Sequence, residues 1–339
     1  MTPRDAGTCA AAALLAWTAF VAGVGAFQRS AGAAVAGAAS SPLGERARCA
    51  AYGGLPAGWN KDPHAGMVHI DGGHFGFGSD RGYAEERPVV DTRITAFWID
   101  RTEVTNAQFA SFVAATGYVT DAERHPGVAV FIAPGSGHGM PALGSWWHLV
   151  DGADWRHPEG PGSSIAGREH DPVVDVSWAD ANAYAHWLGH LLPGEAQWEY
   201  AARGGLDNEA SDRGLTDAQG HPQANVWQGL FPIYNRADDG FEGRAPVGCF
   251  APNRFGLQDM IGNVWEWTAD RYTDQHDATR VDGDMPAVTG AANPDRRVIK
   301  GGSFLCSTNY CTRARASSRQ GQEASLPTSH IGFRTIARD

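Results

Sequence analysis

The apolar positions of this chain form one long run and many short ones. Residues 10–27, A-A-A-A-L-L-A-W-T-A-F-V-A-G-V-G-A-F, are almost wholly apolar, and a small-residue tract, Ala31–Ser41, follows. This resembles a secretory signal with A-x-A cleavage sites at Ala31-Gly32-Ala33 and Ala36-Gly37-Ala38. At 18 residues the run also approaches the length of a membrane-spanning helix, so an uncleaved anchor is the rival reading. Either way the expectation is export, periplasmic or extracellular. Residues 1–41 are read as signal peptide or signal anchor, 42–64 as a linker, and 65–339 as one compact domain.

Within the domain the apolar positions predict few regular elements. Met67–Ile70 and Ala96–Asp100 read as short strands bounded by Gly or charge. Three helices carry their own start and stop signals. Thr105-Asn-Ala-Gln108 is a capping box, with Phe109, Phe112 and Val113 on the apolar face and Gly117 as the stop. Ser177-Trp-Ala-Asp180 repeats the arrangement, with Ala181, Tyr184, Ala185 and Leu188 facing inward and Gly189 closing. Glu195–Arg203 follows Pro193 and ends at Gly204-Gly205. Beyond Gly205 helical signals are scarce; loops and short strands rich in Trp, Asn, Asp and Gly remain. Such a segment needs partners for its backbone beyond regular ladders, and bound metal is the natural candidate. No repeat at periods of 20–50 residues is visible.

Composition narrows the function classes. The 339-residue chain carries a formal net charge of −11 and only two lysines, Lys61 and Lys300, so no basic stripe is available to engage a nucleic-acid backbone. With 42% hydrophobic residues and 12 Trp it is too apolar and aromatic for a disordered protein. There is no H-E-x-x-H, no G-x-S-x-G elbow and no Walker-type glycine loop, so zinc proteolysis, α/β-hydrolase chemistry and nucleotide hydrolysis have no starting residues.

Two oxygen-rich clusters lie in the loop-rich half. Asn225-Val226 with Asp239-Gly240-Phe241 is one; Asp259, Gly262-Asn263-Val264 and Glu266 form the other. Carboxylate, amide and carbonyl oxygens on irregular loops suit calcium; alone, each cluster reads first as a solvated turn. Of five cysteines, Cys9 lies in the leader. Cys49, Cys249, Cys306 and Cys311 are too few for a disulfide framework in a domain this large. Cys306-x4-Cys311 has two readings from spacing: a disulfide, or a two-thiolate site for a soft ion such as Cu(I).

The segment around these cysteines, K-G-G-S-F-L-C-S-T-N-Y-C-T-R-A-R over residues 300–315, closely resembles the formylglycine-generating enzyme (sulfatase-modifying factor) family. So do A-D-W-R-H-P-E-G-P at 153–161, P-V-V-D-V-S-W at 172–178, E-A-Q-W-E-Y at 195–200, N-V-W-Q-G at 225–229, G-N-V-W-E-W at 262–267 and G-F-R at 332–334. The likeness runs from about residue 65 to the C-terminus. It implies an α+β protein, a compact, loop-rich variant of the C-type lectin-like fold with little regular secondary structure and bound calcium. It also implies oxidation of a cysteine in a sulfatase C-x-P-x-R segment to formylglycine with O2 and Cu(I). By position, Cys306 and Cys311 would hold copper, and Ser303, Tyr310 and Trp265 would line the pocket. Asn225, Val226, Asp239 and Phe241 would bind one Ca2+, and Asp259, Gly262, Val264 and Glu266 another.

The chain departs from the family in places. The positions of two disulfides in vertebrate members are here Ala185 with Thr335 and Ala202 with Ala316. Ser307 stands where a His often follows the first copper cysteine, and His330 where an Asn often precedes L-G-F-R. Other functions that the resemblance leaves open are a non-catalytic lectin-like binding module and an oxidase of another thiol substrate.

Overall fold

The structure is a computed structural model and describes residues 43–125, 127–134, 141–207, 215–276 and 295–339. The apolar leader and its cleavage sites lie outside the described residues. Among the described residues no helix is long and apolar enough to cross a membrane.

The helices form where their caps predict. Thr105 Oγ1 accepts from Gln108 N and Gln108 Oε1 from Thr105 N, opening Asn106–Thr116; Gly117 closes it at φ 66°. Ser177 and Asp180 make the same exchange ahead of Trp178–Leu188, and Gly189 ends it at φ 74°. Glu195–Arg203 stops at Gly204, φ 58°. Left-handed backbone at each stop is where a residue without Cβ costs least. In chain order, with two single-turn helices included, these are α1 (Arg46–Cys49), α2 (Asn106–Thr116), α3 (Asp121–Arg124), α4 (Trp178–Leu188) and α5 (Glu195–Arg203).

Among the described residues, thirteen short strands make small sheets. β1 (Met67–Ile70), β4 (Phe97–Asp100) and β13 (Ile336–Arg338) form an antiparallel sheet ordered β1-β4-β13. Strands β2 (Gly73–Phe77) with β3 (Val90–Ile94), β5 (Val128–Phe131) with β6 (Trp147–Val150), and β7 (Gly229–Leu230) with β8 (Tyr234–Asn235) are hairpin pairs. A four-stranded sheet runs β11-β10-β9-β12, from β9 (Trp265–Arg271), β10 (Arg296–Lys300), β11 (Arg319–Glu323) and β12 (Ile331–Gly332). Its register sets Ile331 beside Trp265 and Lys300 beside Glu266. The largest core cluster packs Phe109, Tyr184, Trp265, Trp267, Phe333 and Cys306 between α2, α4 and this sheet.

The stretch expected as a linker is instead docked. Cys49 is disulfide-bonded to Cys249 across 200 residues, Leu43 is buried, and Gly44 N donates to Gly248 O. Its apolar side chains find partners in Cys249, Phe241 and Phe250, so a free tether would forgo that burial. Where vertebrate relatives were expected to carry a disulfide, Thr335 N and Oγ1 both donate to Asp100 Oδ2 at 2.7 Å, and His190 Nδ1 lies 3.0 Å from Thr335 Oγ1. Hydrogen bonds occupy the place of the covalent link, and the opposite position, Ala185, is wholly buried.

Candidate active site

β10 ends at Lys300, and the chain then turns through Gly301 (φ 94°) and Gly302 (φ 77°) into Ser303. A side chain on Gly302 would run into the backbone of Ala314, 2.8 Å from the Cβ position. The incoming and returning limbs of the loop therefore touch, and the hairpin between them carries both cysteines. Cys306 N donates to Ser303 O, Ser303 N lies 3.5 Å from Cys306 Sγ, and Ser307 N donates to Cys311 O. Trp227 N donates to Cys306 O from the β7 side.

Cys306 and Cys311 are free, with sulfurs 2.8 Å apart, so of the two readings left by their spacing the structure adopts the unbonded pair. Cys306 is buried and Cys311 partly open. Burial pushes the Cys306 thiol well up, and its hydrogen bond, followed by Arg313 and Arg315, draws Cys311 down. The two sulfurs lie within hydrogen-bond distance, and Cys311 is the one held toward its thiolate, the form a metal binds. Ser303 is fully buried behind the pair, and Trp265 shares their core cluster, its main-chain N donating to His330 O. Tyr310 is 42% exposed at the mouth, stacked on Phe231 at 4.3 Å and edge-on to Trp146 at 5.4 Å. All five residues expected at the thiol site are in or beside one loop. His330 faces Trp147 at 4.6 Å, and burial, then Arg244, hold its imidazole down at about 3, hence neutral.

The first oxygen cluster gathers around Asp239, and the second gathers only in part. In the first, Asp239 Oδ1 accepts from Phe241 N, and Oδ2 from Val226 N and Gln228 Nε2. Asn225 Nδ2 donates to Asn263 Oδ1, joining the two clusters, and the Arg46 guanidinium donates to Asp239 O. In the second, Gly248 N donates to Asp259 Oδ2, but Glu266 spends both oxygens on Arg334 and one also on Trp198 Nε1 at 2.7 Å. Glu103, missed in the sequence, joins this cluster: Asn263 Nδ2 donates to its Oε1, while its buried Oε2 has no partner. Only its place just before a capping box could have flagged it. Among the described residues no three His, Cys, Asp or Glu side chains converge as a metal cage. Any ion here would rest on two thiolates alone, or on carboxylates mixed with carbonyl oxygens. Both donor sets fit their expected metals: paired thiols suit Cu(I), and hard oxygens with an orphaned carboxylate oxygen suit Ca2+.

Behind the loop lies a buried charge network that the sequence reading also missed. Lys300 Nζ reaches Glu199 Oε2 and Ser317 O, Arg319 pairs with Glu195, and Arg315 with Glu86. Lys300 and Arg319 hold both limbs of the thiol loop against α5, and Arg315 ties the returning limb to Glu86.

With this geometry in place, the comparisons decide the family. The sulfatase-modifying factor enzyme 1-like domain matches residues 54–339. The chain belongs to that family. A formylglycine-generating enzyme of Thermomonospora curvata is 48% identical over 292 residues, covering 80% of this chain and 93% of its own. An "inactive C-alpha-formylglycine-generating enzyme 2" of Mus musculus is 38% identical, covering 83% and 87%. Among solved structures, PvdO from Pseudomonas aeruginosa is similar at TM-score 0.56 and 25% identity, covering 80% of this chain and 94% of its own. The loop-rich α+β fold expected from the sequence is the fold of this family.

Proposed function

We propose that this protein oxidises a cysteine in a protein substrate, within a sulfatase C-x-P-x-R segment, to formylglycine, with O2 as acceptor and Cu(I) held by Cys306 and Cys311. The observation that carries the reading is the free thiol pair, 2.8 Å apart and half-sheltered, in a family member whose relatives include a formylglycine-generating enzyme at 48% identity. Copper(I), when bound, supplies one-electron redox chemistry toward O2 and accepts a further thiolate.

The remaining work falls to the chain. Cys306 gives up its proton from a buried position, and Cys311, already held toward thiolate, offers the more open sulfur. Tyr310, resting on the buried rings of Phe231 and Trp146, offers an exposed aromatic face beside the thiols that a peptide can cover, excluding water from them. Ser303 fixes the turn, its Oγ accepting from Leu305 N.

A binding module without catalysis is the second reading, favoured by the mouse relative named inactive. Aerobic incubation with Cu(I) and a C-x-P-x-R peptide, followed by mass spectrometry, separates the two. Aldehyde formation that disappears in Cys306→Ser and in Cys311→Ser supports the oxidase; turnover retained in either mutant, or none in wild type, overturns it.

Calcium at both oxygen clusters, and export, complete the proposal. Export rests on the apolar leader, and the Cys49–Cys249 disulfide supports it, since such bonds persist in oxidising compartments. A reporter fused after Ser41 that is active only in the cytoplasm would refute export.

A further inference from the structure

Between the two cysteines the hairpin makes few bonds of its own: Ser307 N to Cys311 O and Tyr310 N to Ser307 O. Its tip is tied elsewhere. Asn309 Oδ1 accepts from Phe231 N at 3.1 Å, and Asn309 Nδ2 donates to Phe231 O at 3.0 Å. One side-chain amide thus satisfies both main-chain groups of a single residue, as a neighbouring strand would. Ser307 Oγ donates to the same Asn309 Oδ1 at 2.9 Å, fixing which way the amide faces. The consequence is geometric. Phe231 is almost wholly buried, and Tyr310, next to Asn309, lies flat on its ring with planes only 10° apart. The tie to residue 231 therefore sets the height of the hairpin, the face Tyr310 shows, and the approach of Cys311 to Cys306.

We propose that Asn309, braced by Ser307, is the positioning residue of the two-thiol site, anchoring the hairpin to residue 231 so that both sulfurs stand together. This rests on the reading of the thiols as copper ligands. The role resembles that of outer residues which orient metal ligands, whose loss typically weakens metal binding about 10–100-fold. Ser307, a departure from the family's usual His, finds its use here, as the brace of an amide.

The test uses the full protein with Asn309→Ala, Asn309→Asp and Ser307→Ala. Asn309→Asp keeps the acceptor for Phe231 N but sets an oxygen against Phe231 O. Cu(I) affinity is measured by competition with a chromophoric chelator. The Tyr310–Phe231 stack is followed in metal-free protein by near-ultraviolet circular dichroism, and melting temperature checks folding. Expected are an affinity loss of roughly tenfold or more in Asn309→Ala, less in Asn309→Asp, least in Ser307→Ala, with a changed aromatic spectrum and nearly unchanged melting. If wild type binds Cu(I) and Asn309→Ala binds it equally well, the proposal fails while the copper reading stands. If wild type binds no Cu(I), the copper reading fails, and the metal-free spectrum alone decides: unchanged in Asn309→Ala, it overturns the positioning role; changed, it supports it. Should Asn309→Ala not fold, the same comparison is made on Asn309→Asp.

Discussion

Lys300 Nζ stands 2.9 Å from Glu199 Oε2, with both side chains wholly shielded from water. Burial alone would push the Glu199 carboxyl up, yet Lys300 and Arg203 hold it below its ordinary value. A carboxylate depressed in the folded state contributes stability that is complete above the unfolded pKa, roughly 4.3, and is lost as pH falls through the folded value. Lys300→Met leaves a buried carboxylate with one partner fewer, and breaking such a pair costs about 3–5 kcal/mol. Urea unfolding at pH 7 should show that loss, and the mutant should depend less on pH in acid than wild type does.

Asp100 accepts two hydrogen bonds from Thr335 in the place where relatives were expected to hold a disulfide. Thr335→Val keeps the shape and main-chain bond but removes the hydroxyl that a buried carboxylate and His190 share. A loss of about 1–3 kcal/mol is expected in chemical denaturation, with Cu(I) binding intact. A neutral result would mean that the relay contributes nothing to stability.

Much of this fold was legible because its signals are local. Thr105–Gln108 and Ser177–Asp180 specify helix starts within four residues, and the glycines after them specify the ends. The thiol pair was legible for the same reason, five positions apart. What stayed hidden is long-range. Glu103 meets Asn263 across 160 residues, Lys300 meets Glu199 across 101, and Cys49 meets Cys249 across 200. No periodicity marks such partners, because topology alone brings them together. Asn309 lay in plain view inside C-x4-C, yet its partner is a main-chain amide 78 residues away.

The Cys49–Cys249 bond closes a 200-residue loop. Loops of this size restrict the unfolded chain most, and loss of a native disulfide typically costs about 2–5 kcal/mol. Cys49→Ser should melt several degrees lower, and reductant should lower wild type to the same point. Cys306→Ser and Cys311→Ser should leave that reductant sensitivity in place. Equal melting of oxidised and reduced wild type would remove the disulfide from the stability of the native fold.

Glu103 Oε2 is buried without a partner beside Asp259, and burial followed by repulsion from Asp259 pushes the Glu103 carboxyl well up. A divalent cation would relieve both the missing bond and the repulsion, whereas Arg334 already serves Glu266. Calcium bound preferentially to the folded protein stabilises it by about 2.7 kcal/mol at a hundredfold excess over Kd. Chelation should therefore lower the melting temperature, and added Ca2+ should restore it where Mg2+ does not. Asp239→Asn and Asp259→Asn should each remove one ion of the two found by metal analysis. Glu103→Gln should shrink the chelator effect while making the metal-free protein more stable, since an amide has no charge to neutralise. Unchanged melting in chelator, with no calcium in the purified protein, would exclude both calcium sites and leave Glu103 protonated within a metal-free core.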